Sequence, residues 1–261
     1  GQWRDLLVPG EGPKGDFFRA LTDNDRAYGG GQGVYIQMWK EPGDYEVTLF
    51  EAEEEETGDL LVHIRGHYPE LNDLELDMDY RISPEGTVQV NVLIRPQYDE
   101  RFVYLPVAGL SMQVPQEYEQ LTWFGRGPQE TYADRYKGTS VDRWQSTVTD
   151  NYFPYVQSSE TGNHVETRWL TLTDETGFGL KVEMIGDPFE FSVLHYTAEE
   201  LDRAVHPYEL ETIRESVLRI NAVQFGVGGD DSWASLITHE PYLPHDAQYQ
   251  YSFVLEPCFP Q

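Results

Sequence analysis

Apolar residues recur at every second position through most of this 261-residue chain. That spacing suits one kind of element, because successive side chains of a strand point to opposite faces of a sheet. Leu74, Leu76, Met78 and Tyr80 fall on one face, with Glu75, Asp77 and Asp79 on the other. Val88, Val90, Val92 and Ile94 repeat the pattern, as do Tyr249, Tyr251, Phe253 and Leu255. Further strands are predicted over Glu46–Phe50, Leu60–Gly66, Val165–Leu172, Phe178–Met184, Phe189–Leu194 and Val217–Phe225. Turn residues separate them at Ser83-Pro84-Glu85-Gly86, Asp174-Glu175-Thr176-Gly177 and Gly186-Asp187-Pro188. Many strands with one polar face each predict two antiparallel sheets packed face to face. The clear helix signal is Thr197-Ala198-Glu199-Glu200, a capping box opening about two turns.

The length fits one large all-β domain spanning residues 1–261, and no linker rich in Ser, Gly or Pro divides it. The chain opens at Gly1, in what reads as a turn, so we expect a piece cut from something longer. With 46 Asp and Glu against 18 Lys and Arg, the net charge is −28. Such a surface repels nucleic acid and anionic membranes, and both are excluded as partners. The acidity serves solubility, or adaptation of the host to salt or acid. No stretch of about 18 apolar residues predicts a membrane span. Cys258 is the only cysteine, which excludes an internal disulfide and a zinc site built on cysteines. It reads as a passive thiol, and in the absence of a secretion signal the expected compartment is the cytoplasm.

Several clusters carry chemistry-bearing side chains. Glu51 to Glu56 holds five acids in six residues, a solvated edge or a cation site. Phe17-Phe18-Arg19-Ala20-Leu21-Thr22-Asp23-Asn24-Asp25-Arg26 runs from a strand into a polar knot, a hydrogen-bonded corner or a partner-facing surface, in which Asp25 pairs with Arg19 or Arg26. In Trp123-Phe124-Gly125-Arg126-Gly127 the two glycines suit a tight bend around a guanidinium, and Arg126, Glu130, Asp134 and Arg135 suit a charge network. His63 and His67 lie on one strand face but too far apart for a shared metal. Without a Gly-x-Ser-x-Gly elbow, nothing supports a Ser-His-Asp triad.

The stretch Gly226-Val227-Gly228-Gly229-Asp230-Asp231-Ser232-Trp233 follows the predicted strand Val217–Phe225. Its glycines permit positive φ, its acids and serine supply turn chemistry, and Trp233 ends the run. An indole offered on a loop is a flat apolar plate for the C–H face of a sugar. Trp233 is therefore the candidate substrate-binding residue. No catalytic residue stands beside it.

Taken together, Phe17–Asp25, Trp123–Arg135, Pro154–Gly162 and Gly226–Trp233 resemble, in order, the C-terminal portion of bacterial β-galactosidases of glycoside hydrolase family 2. In split enzymes the same portion is the small subunit. The resemblance implies an all-β antiparallel supersandwich similar to galactose mutarotase. It implies that Trp233 enters the active site of a neighbouring (β/α)₈ barrel and stacks on the substrate galactoside. The acid/base and nucleophile Glu residues of that retaining chemistry, ~5–5.5 Å apart, belong to the barrel. So, in the main, do the family's magnesium and sodium ligands, so no cofactor is expected in this chain. The expected partners are the barrel portion, the galactoside and further copies of the whole enzyme.

Two other functions fit the same residues. A stand-alone carbohydrate-binding module would place Trp233 in a groove with other aromatics. An aldose 1-epimerase would need a histidine and a carboxylate facing each other, and His164 with Glu166, or His195, are the candidates. A surface made to cover a barrel should carry exposed apolar side chains; the candidates lie near Tyr152-Phe153-Pro154-Tyr155, rings that fit a place in the core equally well.

Overall fold

A computed structural model of the chain describes residues 5–26, 33–97, 102, 105–228 and 247–260. Along the chain run β1 (Lys14–Asp16), α1 (Asp23–Arg26), α2 (Gly33–Gln37), β2 (Glu46–Glu54), β3 (Leu60–Tyr68), β4 (Leu74–Ile82) and β5 (Val88–Arg95). Then come β6 (Val107–Val114), β7 (Gln120–Gly127), β8 (Ser140–Thr147), β9 (His164–Thr167) and β10 (Trp169–Thr173). The last are β11 (Gly179–Ile185), β12 (Phe189–Leu194), α3 (Ala198–Arg203), β13 (Ser216–Gln224) and β14 (Tyr249–Cys258). Among the described residues a five-stranded sheet has the order β1-β6-β13-β12-β9, and a nine-stranded sheet the order β2-β3-β4-β5-β14-β11-β10-β7-β8. Every pairing is antiparallel, as the alternation predicts.

The sheets close on one apolar core. Leu74, Leu76 and Met78 of β4, Val90 and Val92 of β5 and Phe253 of β14 meet Leu110 and Met112 of β6, Phe191 of β12 and Leu218 and Ile220 of β13. Burying each such side chain is worth about 1.5–3 kcal/mol. The large sheet outruns the small one, so β2 is exposed along its whole length. The acids Glu51 to Glu54 lie on this solvated edge, and no group of three or more metal-ligating side chains forms among the described residues.

Several expectations need correction. The predicted strand Val165–Leu172 is two strands in different sheets, β9 in the small one and β10 in the large one. The chain changes sheet between Thr167 and Trp169, just beyond Glu166, which has φ +52°. Trp123–Gly127 is no bend but the end of strand β7. Gly125 is needed there because a Cβ would fall 2.6 Å from Thr167 Oγ1. The box at Thr197 is half-formed. Thr197 Oγ1 accepts the Glu200 amide at 3.2 Å, while the Glu200 carboxylate accepts from Arg203 and from the Glu211 amide. Among the described residues, no helix is long and apolar enough to cross a membrane. Cys258 is a free thiol, half-buried at the end of β14, and burial pushes its pKa up.

Candidate functional site

Strand β13 delivers the chain into Phe225-Gly226-Val227-Gly228, the root of the predicted binding loop. Trp233 itself lies outside the described residues, as do all of residues 229–246. Side chains from two other parts of the chain hold the root through hydrogen bonds to its backbone. Arg19 Nη2 donates to Gly226 O at 2.9 Å, and Asn24 Nδ2 donates to Val227 O at 3.3 Å. From the opposite side the Asp134 carboxylate accepts the Val227 amide at 3.2 Å and the Gly228 amide at 2.7 Å. Gly226 and Gly228 do not adopt the positive φ expected of them. Gly226 is required by proximity: a Cβ there would sit 2.5 Å from Asp134 Oδ2.

Arg19 can hold the root because it is itself fixed. It is fully buried, and its fork grips Asp25 at 2.6 and 3.1 Å. Its guanidinium lies 5.6 Å from the Phe225 ring centroid. Asp25 also accepts from the amide and hydroxyl of Thr22, at 2.7 and 2.9 Å. Of the two partners expected for Asp25, Arg19 is the one found; Arg26 turns to Asp202 and to Ser158 O. The polar knot is thus a hydrogen-bonded corner, one turn of which is α1.

The third motif enters through Glu160. This buried carboxylate accepts from Gln224 Nε2 at 3.0 Å and from the Ala20 amide at 3.2 Å, with Arg219 Nη1 3.5 Å away. Burial raises its pKa, against the pull of Arg219 and Gln224. Arg219 also reaches Asp16 Oδ2 at 2.5 Å. The charge network expected around Arg126 divides in three. Arg126 Nε lies 2.9 Å from Glu166 Oε1, Glu130 pairs with Arg135 and Tyr155, and Asp134 serves the loop root.

All four motifs therefore meet at one place. A cavity of about 260 Å³ beside the root is lined by Asp23 and Asn24, Arg135, Tyr155 and Glu160, and Val227. A larger cleft of about 790 Å³ shares Arg135 and Tyr155 with it and adds Tyr136 and Phe153. This arrangement of amides, carboxylates and ring faces can position a loop and receive polar or aromatic groups.

The histidines considered for epimerase chemistry stand otherwise. His164 is buried against Trp123 and Phe191, with ring centroids 4.4 and 5.1 Å away. Its nitrogens meet Asn151 Oδ1 at 2.8 Å and Arg126 O at 3.3 Å, and burial pushes its pKa down to about 3. It is a neutral structural ring, while Glu166 is half-exposed beside Arg126. His195 forms a chain of contacts the sequence did not reveal: Nε2 to Glu119 Oε2 at 3.0 Å and Nδ1 to Ser216 Oγ at 3.3 Å. Ser216 is fully buried in β13, so this serine is closed to any substrate.

Comparison with known proteins decides the family. The profile described as β-galactosidase small chain matches residues 2–255. The chain belongs to this family. It is 32% identical over 252 residues to a β-galactosidase of Streptococcus thermophilus, covering 95% of this chain and 24% of that protein. It is 33% identical over 238 residues to a β-galactosidase of Halalkalibacterium halodurans, covering 91% of this chain and 23% of that protein. The chain thus spans about a quarter of the length of the curated relatives it matches. Among solved structures it is similar to an aldose epimerase homologue from C. elegans, at 10% identity and a TM-score of 0.41 over 81% of this chain and 69% of that one. In this member of the β-galactosidase small-chain family, the motifs gather at the root of a single loop.

Proposed function

We propose that this chain is the non-catalytic small-chain portion of a β-galactosidase, folded as one domain over residues 1–261. It completes a substrate site formed mainly by the rest of the enzyme, which hydrolyses terminal β-galactosides with retention. The observation that carries this reading is the convergence of all four motif segments on the root of one loop, where Arg19, Asn24 and Asp134 hold Gly226, Val227 and Gly228. A loop anchored so firmly at its base suits the placing of one side chain, and Trp233 is that residue. Stacking one sugar on an indole is worth on the order of 1 kcal/mol beyond buried area. That is enough to tune binding and far too little to catalyse, so the acid/base and nucleophile carboxylates, with any metal, belong to the larger portion.

The test has two arms. The purified 261-residue chain should not hydrolyse a chromogenic galactoside. In the assembled enzyme, Trp233→Ala should raise KM about three- to tenfold. Turnover by the chain alone, abolished by changing one of its own carboxylates, overturns the proposal.

A further inference from the structure

We propose that the charge-free ridge formed by residues 153–157 and 205–208 is the surface on which this chain docks against the catalytic portion of a β-galactosidase. The inference rests on the proposed function and names the contact face that such a function requires. The two segments are Phe153-Pro154-Tyr155-Val156-Gln157 and Val205-His206-Pro207-Tyr208. They hold no Asp, Glu, Lys or Arg, in a chain whose residues are 25% charged. Their apolar side chains stand in water: Phe153 is 55% exposed, Val156 89%, Val205 52% and Tyr208 82%. Loss of charge with enrichment in aromatic rings marks the centre of a protein interface.

The backbone beneath these side chains is fixed. The Ser158 amide donates to Val205 O at 3.2 Å, and His206 Nδ1 lies 3.4 Å from Val156 O, which joins the two segments. Ser158 Oγ donates to Leu201 O at 2.8 Å. The Glu209 carboxylate accepts the amides of Val205 and His206 at 2.9 and 3.4 Å. His206 stacks on Tyr208 with centroids 5.3 Å apart. Exposed apolar groups on a backbone this well tied are preorganised for contact, which lowers the ordering cost of binding.

Two observations select the occupant. Val156 and Tyr155 also line the cavity at the loop root, so whatever covers the ridge sits beside the root. About three-quarters of the length of the relatives lies outside this chain, and that portion must meet the loop for the loop to serve it. A second copy is the poorer occupant, because it brings together two chains of net charge −28. Other exposed apolar stretches, at Val34, Tyr35 and Met38 around α2 and at Val47, Leu49 and Phe50 of β2, line neither of the clefts at the loop root, and the second adjoins the acidic run.

Hydroxyl-radical footprinting of the chain alone and of the assembled enzyme, read by mass spectrometry, tests the assignment. Oxidation of Tyr208 and Phe153 should fall at least tenfold on assembly, while that of Phe50 stays unchanged. Tyr208→Asp should weaken association at least tenfold, and Phe50→Asp should not. An active assembly in which Tyr208 and Phe153 oxidise at the rates of the free chain overturns the docking face and leaves the proposed function standing. Hydrolysis by the free chain overturns the function instead. If the chain alone sediments as a dimer that Tyr208→Asp dissociates, the ridge belongs to a second copy and the inference fails.

Discussion

Arg19 owes its importance to what a buried charge costs when its partner is removed. Its fork to Asp25 and its hydrogen bond to Gly226 O are made with the side chain fully out of water. Replacing one member of such a pair leaves the other charge buried and uncompensated, at a cost of about 3–5 kcal/mol. Arg19→Leu should lower unfolding stability in urea by that amount; a loss below about 1 kcal/mol would show that the pair is not holding the corner. Glu190 is a second residue whose burial is measurable. Burial, opposed by an Asn163 hydrogen bond at 3.0 Å, pushes its pKa up to about 8 from 4.5. The folded state then binds the extra proton between these values, so stability from this group is present below about pH 4.5 and lost as pH rises through about 8. Glu190→Gln should flatten the fall in Tm between about pH 4.5 and pH 8. An unchanged pH profile in the variant would remove Glu190 as its source.

At the scale of elements, the loop root joins three parts of the chain that meet only in the fold. Gly226→Ala drives a methyl group into the Asp134 carboxylate that holds the next two amides. If the root serves to place Trp233, that change should raise KM for a galactoside about tenfold in the assembled enzyme and leave kcat within about twofold. An equal fall in kcat would mean that the loop does more than bind. The sequence made the loop conspicuous, but not its anchors, because Arg19 reaches Gly226 across 207 residues. Strands such as β4, β5 and β14 were legible because their buried positions alternate with more exposed ones. The break between β9 and β10 was not, since it shows only as a one-residue change of phase, from buried Val165 and Thr167 to buried Leu170 and Leu172, which the large apolar Trp169 covers over. α1 and α2 are single turns of four and five residues, too short for a 3.6-residue period to register. The glycines of β7 read as a bend because close approaches, by Thr167 to Gly125 and by Trp144 to Gly127, look in sequence like a need for a turn.

At the scale of the whole molecule, two electrostatic effects oppose each other, and their sizes decide the outcome. The excess of 46 acidic over 18 basic residues leaves 28 charges unbalanced in one compact body, and this self-repulsion destabilises the fold. Surface ion pairs such as Arg81 with Asp59 and Arg203 with Glu200 act the other way. Each exposed pair is worth only about 0–1 kcal/mol, and 18 basic residues cannot neutralise 46 acids. Repulsion wins, so added salt should stabilise this chain. Screening shortens from about 30 Å at 0.01 M to about 3 Å at 1 M, which removes most of the long-range repulsion. A gain of about 2 kcal/mol would raise Tm by about 4–8 °C in a chain of this size. Calorimetry at pH 7 in rising sodium chloride should find that increase, and it should shrink near pH 4.4, where the net charge vanishes. A Tm that falls with salt at pH 7 would mean that the ion pairs outweigh the unbalanced carboxylates, and that the acidity of this surface carries no cost for the fold.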